Sequence, residues 1–199
     1  MTDKKEATKD KLVKSVGTLL AKEGFKGLGV NKVAKEAGVD KVLVYRYFNG
    51  LPGLVAAFSR TVDFWPGVTE LMGPDPDKVK ALPPDRQMAH FFKSFAAALK
   101  KRPLTQDILA WELLAKNELS EQLEAIRIKT ILEFFDELDD IPDDKALSAV
   151  VVLMGGAVNH LIIKSRIHPV VGGIDLQSSQ GWDAIEQGIE LLLKGIFSR

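Results

Sequence analysis

Apolar residues recur every three or four positions along most of this chain, the period of helices that bury one face. Leu12, Val16, Leu19 and Leu20 form a first stripe, with Lys11, Lys14 and Lys22 largely off it. Gly24 then offers a C-terminal stop. A short second helix is predicted over 31–37, with Val33, Ala34 and Ala37 facing inward and Gly38 ending it. A third fits 41–48, with Asp40 at its N-cap. Asn49-Gly50 breaks the chain, and Pro52 suits the first turn of a fourth helix over 51–65, which Pro66-Gly67 ends.

Residues 73–84 hold Pro74, Pro76, Pro83 and Pro84 and read as a loop. Helical periodicity resumes over 85–101, 104–116, 119–138, 145–166 and 181–197, with Pro103 and Pro142 where helices start or stop. Residues 167–180, with Pro169, Gly172 and Gly173, read as a second long loop. No strand alternation or internal repeat stands out. The expected fold is all-α, a three-helix head followed by a larger helical bundle, with about nine helices in total.

Composition narrows the class. At 199 residues, 46% hydrophobic and 27% charged, the chain suits a soluble folded protein of one or two domains. The absence of cysteine excludes disulfides, a thiolate nucleophile and a zinc–thiolate site. Residues 1–14 are polar and lack the apolar core of a signal peptide. The stretch 146–163, which contains Asn159 and His160, comes closest to a spanning segment. The cytoplasm is therefore the expected location. The formal net charge is zero, but residues 1–50 hold eleven Lys/Arg against six Asp/Glu and the remainder sixteen against twenty-one. A basic head on an acidic body points to a small module that meets a polyanion.

The head carries the motif. Gly24-Phe25, Val33-Ala34, Ala37-Gly38-Val39 and Tyr45-Arg46-Tyr47-Phe48 describe helix, tight glycine turn, helix. Ala34 is small where two helices cross, Gly38 suits positive φ, and Val39, Val44 and Phe48 face inward. These residues resemble the N-terminal domain of the tetracycline-repressor (TetR) family of transcriptional regulators, over about residues 8–58. The resemblance implies a helix-turn-helix DNA-binding domain over 1–50, a connecting helix over 51–65, and a ligand-binding and dimerisation domain over 66–199.

It also implies roles. Lys41, Val42 and Leu43 open the recognition helix and are the candidates for base edges. Tyr45 and Tyr47, the two tyrosines of the chain, match family positions that hydrogen-bond phosphates or bases. Asn31 matches a position that reaches a base or phosphate, and Lys32 and Arg46 add charge against the backbone. Four residues depart from the family pattern. Gly29 replaces a hydroxyl N-cap, Val42-Leu43 replaces glycine-threonine, and Leu51 stands where a phosphate-binding lysine is common. An aliphatic at 42 or 43 suits a thymine methyl rather than a phosphate.

In the larger region, Trp182, Ile185, Ile189, Leu192 and Ile196 repeat with the spacing of a helix-packing seam. Val151, Gly155, Val158 and Ile162 lie on a helix that is apolar nearly all round, and both sets are candidates for a homodimer interface. A pocket for a small apolar effector would draw on Phe91, Phe95, Trp111, Glu112, Phe134, Met154, Asn159 and His160. No cofactor or metal is expected: His90, His160 and His168 lack ligand spacing. The run Asp136, Glu137, Asp139, Asp140, Asp143, Asp144 lacks the EF-hand pattern and reads as a solvated turn. No phosphate-cradling loop or nucleophile elbow is present, so an enzyme is not expected. The resemblance thus implies a homodimeric transcriptional regulator, by expectation a repressor, that binds a palindromic operator in double-stranded DNA. The alternatives are the same fold used as a ligand-binding module without DNA recognition, or as a sensor that meets another protein through Val42 and Leu43.

Overall fold

The computed structural model describes residues 2–61, 63–113, 118–138 and 145–198. Among them are eleven α-helices: α1 Thr2–Glu23, α2 Val30–Ala37, α3 Val42–Phe48, α4 Leu51–Ser59, α5 Val68–Met72, α6 Pro76–Lys80, α7 Pro84–Lys100, α8 Pro103–Glu112, α9 Glu118–Asp136, α10 Lys145–Ser165 and α11 Ser179–Phe197. The all-α expectation holds, with more helices than the nine expected.

The differences have local causes. The helix expected to reach 65 stops at Ser59, where Ser59 and Thr61 hydroxyls donate to the carbonyls of Ala56 and Phe58. The proline-rich stretch contains α6, because Pro76 occupies the first turn and the Asp75 carboxylate accepts from Lys78 N–H. The second expected loop holds a two-residue antiparallel hairpin, β1 Val170–Val171 and β2 Ile174–Asp175, turned by Gly172 and Gly173 at positive φ. Four paired residues are too few to show alternation. Of the acidic run, Asp139, Asp140, Asp143 and Asp144 lie outside the described residues.

The chain forms two compact units. The first comprises Met1–Trp65 and Arg102–Lys129. Its core includes Leu12, Val16, Leu20, Val33, Val44, Leu54 and Val55, all fully buried. The division expected at residue 66 assigns α8 to the larger region, whereas in packing α8 lies with the head. Gly17 of α1 abuts Leu104 and Phe58 so closely that a Cβ there would come within 2.8 Å of both. The Thr105 hydroxyl donates to the Phe64 carbonyl, and the Trp111 indole N–H donates to the Ala21 carbonyl at 3.2 Å. Arg127 is buried between Glu112, at 2.8 Å, and Glu124, with its guanidinium carbon 5.7 Å from the Trp65 ring centroid.

The second unit comprises Pro66–Lys101 and Thr130–Arg199, with α5, α10 and α11 packed on α7. Phe91, Phe92, Phe95, Phe134 and Phe135 form its aromatic centre, with ring centroids 4.9–6.1 Å apart. Lys93 pairs with Glu186 and Glu190, and Arg86 with Glu190, joining α7 to α11. Among the described residues, α10 is the one helix long and apolar enough to cross a membrane, from Leu147 to Ser165.

The second turn of the head fixes α4. Asn49 takes a left-handed conformation (φ 57°) and its N–H donates to the Tyr45 carbonyl, ending α3. Gly50 then starts α4, whose backbone passes so close to α3 that a Cβ on Gly53 would lie 1.8 Å from the Phe48 carbonyl oxygen. Only a backbone shift relieves such a clash.

Two predictions follow from this packing. Gly53→Ala should lower the urea midpoint, through a loss of the roughly 1–3 kcal/mol of stability typical of overpacking. By contrast, Gly29→Ser, at an extended N-cap with open space around its Cα, should leave the midpoint unchanged or raise it slightly, through a gain of about a few tenths of a kcal/mol. The second concerns Glu112, whose carboxyl is held above the usual range by burial, an effect opposed by Arg127. Arg127→Ala should destabilise by about 3–5 kcal/mol at neutral pH, leaving a buried carboxylate unpaired. It should also raise the Glu112 pKa further. The folded state then holds a proton that the unfolded state releases, so the deficit should shrink as pH falls through the folded pKa toward the unfolded carboxyl value. Urea midpoints measured across pH check both the size and the sign.

Candidate nucleic-acid interface

The interface is built by two helices too short to stand alone. α2 starts at Gly29, whose carbonyl accepts from Val33 N–H at 2.9 Å, and it buries Val33 and Ala34. It ends in a left-handed glycine: Gly38 (φ 67°) donates to Lys35 O, and Val39 donates to Ala34 O. That pair of bonds satisfies the terminal carbonyls and reverses the chain. Val39 is half-buried beneath the turn.

Asp40 then opens α3. Its carboxylate accepts from Val42 N–H at 2.8 Å and its carbonyl from Leu43 N–H at 3.0 Å, so it caps the helix from just outside. α3 is anchored by Val44, which is fully buried, and by the half-buried Phe48. The opposite side is open. Val42 and Tyr45 are each 60% exposed, and Lys41 and Arg46 are exposed beside them. At 100° per residue, positions 41, 42, 45 and 46 fall on one side of the helix. Among the described residues no ion pair involves Lys41 or Arg46. This cluster combines two cations, a phenol and an aliphatic on a helix narrow enough for a major groove.

The other expected contacts divide. Leu43 and Tyr47 are half-buried on the flank of α3. Asn31 is exposed on the first turn of α2. Lys32 is exposed but pairs with Glu23 at 2.6 Å, so it has a partner within the head. One neighbour is absent from the expected set. Lys5, on the first turns of α1, places its ammonium 5.8 Å from the centroid of the Tyr47 ring. Its signal in the sequence was its place on the stripe of Leu12 and Val16.

The effector candidates belong to both units. Phe91, Phe95 and Phe134 are buried together in the second unit, and Met154 and Asn159 are half-buried on α10. Asn159 Oδ1 is buried with no hydrogen-bond partner. His160 is exposed, because it lies on the outward side of α10. Trp111 and Glu112 are engaged within the first unit, by Ala21 and by Arg127.

The dimer candidates differ in exposure. Val158, Ile162, Trp182 and Ile189 are buried within the second unit itself, and Val151, Gly155 and Ile185 are half-buried. Leu192 and Ile196 are exposed. The open apolar surface is carried by Val152 and Leu153 of α10 and by Leu191 and Leu192 of α11, which are 63–73% exposed.

Residues 18–58 match the family model for bacterial regulatory proteins of the tetR family. No curated protein matches the sequence. Solved structures with a similar fold include a TetR family transcription regulator from Marinobacter aquaeolei VT8, 16% identical with a TM-score of 0.54, over 92% of this chain and 98% of that one. The hemolysin II transcriptional regulator HlyIIR is 15% identical with a TM-score of 0.52, over 96% and 97%. The fatty acid degradation regulator FadR from Bacillus halodurans is 17% identical with a TM-score of 0.53, over 93% of each chain. The chain thus has a TetR-like fold with an N-terminal helix-turn-helix region.

Proposed function

We propose that this chain is a one-component transcriptional regulator, acting as a repressor, whose α3 enters the major groove of double-stranded DNA. The observation that carries the reading is the open side of α3. Lys41, Val42, Tyr45 and Arg46 have no part in the head's core, yet the turn at Gly38 and the cap at Asp40 hold them in place. Lys41 and Val42, at the start of the helix, face base edges; Tyr45 and Arg46, with Asn31 on α2, meet phosphates or flanking bases. The match of residues 18–58 to the tetR-family model supports the same reading.

In this proposal the protein acts as a homodimer in the cytoplasm. The exposed apolar sides of α10 and α11 support a partner copy, since leaving Val152, Leu153, Leu191 and Leu192 in water is unfavourable. Two heads related by a two-fold axis read two half-sites about one helical turn apart, hence a palindromic operator. A small, largely apolar effector held near Phe91, Phe95, Phe134, Met154 and Asn159 would release the DNA. It can do so only by as much as it prefers the state that binds DNA poorly.

The exposure of Val42 also favours a second reading, in which this face of α3 docks a protein and DNA recognition is lost. Selection of bound oligonucleotides from a random pool at near-physiological salt separates the two. The proposal expects a palindromic motif whose affinity falls with salt; a folded dimer that selects no sequence overturns it. On the selected operator, Lys41→Ala should cost about 1–3 kcal/mol and relax the sequence preference if it reads a base. Tyr45→Phe should cost about 1 kcal/mol, a net hydrogen bond. Neither should lower the melting temperature, because both side chains are exposed.

A further inference from the structure

We infer that the first turns of α1 form a second DNA contact, in which Lys5 grips the phosphate backbone beside the groove that α3 enters; this rests on the reading of α3 given above. The inference begins with the length of α1. The helix starts at Thr2, but its first fully buried apolar residue is Leu12. The stripe that buries Leu12 and Val16 continues backward, at spacings of three and four, through Lys9 and Lys5. The side of α1 that packs into the head therefore turns cationic where the head's core ends.

The contact with α3 locates this overhang. The Lys5 ammonium sits 5.8 Å from the centroid of the Tyr47 ring, so it lies against the recognition helix. Lys9 is engaged by Glu6 at 2.9 Å. A ring face attracts an ammonium without neutralising it, and an ammonium carries three donors. Lys5 thus keeps its charge and its capacity to bond phosphate oxygens while the ring steers its stem. Tyr47 becomes a positioning residue for Lys5, through its ring rather than its hydroxyl.

The test uses the full-length protein and its selected operator, with affinity measured between about 50 and 200 mM salt. Lys5→Ala is expected to weaken binding uniformly across operator variants. It should reduce the slope of log affinity against log salt by about 0.9 per protomer, one phosphate's worth. Lys5→Arg should preserve the slope. Lys14→Ala removes the same charge from the opposite side of α1, nine residues on, and should leave the slope at the wild-type value. Tyr47→Leu, which removes the ring beside the Lys5 ammonium, should lose part of the affinity and lower the salt slope. Wild-type binding with an unchanged slope in Lys5→Ala overturns this inference alone. Equal losses in Lys5→Ala and Lys14→Ala also overturn it, since they would mark an effect of net charge. A wild-type protein that binds no DNA overturns the reading of α3 and this inference together.

Discussion

A seven-residue helix cannot hold its own shape in water, because nucleation costs more than so few backbone bonds return. α3 is such a helix, and the base contacts proposed for Lys41 and Val42 depend on where it sits. Its conformation is imposed from outside by three backbone features. Gly38 reverses the chain before it, Asn49 stops it in a left-handed conformation, and α4 crosses it at Gly53 with no room for a side chain. Val44 supplies the apolar anchor from within. Geometry rather than helix propensity therefore sets the direction of Tyr45 and Arg46.

The same need for support explains the make-up of the first unit. A head of about fifty residues buries too little apolar surface to be secure by itself. Here α1 gains a further neighbour in α8, through Leu104 against Gly17 and Trp111 against Gly24 and the Ala21 carbonyl. Arg127 adds a buried charge matched by Glu112 and Glu124. Such a pair contributes little net stability compared with well-packed apolar residues, but it penalises any arrangement that separates the partners. It makes the relation of α8 to α9 specific.

Much of this was legible in the residues. The motif from Gly24 to Phe48 fixed the turn, the buried Ala34 and Val44, and the order of elements, because each needs a particular side-chain size at a particular spacing. The five long helices after residue 84 were also legible, to within a few residues at most ends. What the pattern lacked was phase. α10 is apolar nearly all round, so its period does not say which side is buried. Val158 and Ile162 turned inward while Val152 and Leu153 faced out. Long-range contacts were equally hidden: nothing near Trp111 in the sequence announces Ala21, and nothing near Lys5 announces Tyr47. Gly53 looked like one more helical glycine until its distance from Phe48 was known.

The exposure of Val42 and Tyr45 has a consequence for how such a head changes over generations. Residues that touch no core atom can be exchanged without endangering the scaffold beneath them, so new binding preferences are accessible by single steps that leave folding intact. The residues that aim the helix, Gly38, Val44 and Gly53, have no such latitude. Within α3, such exchange is confined to its open side, and the residues beneath act as its frame.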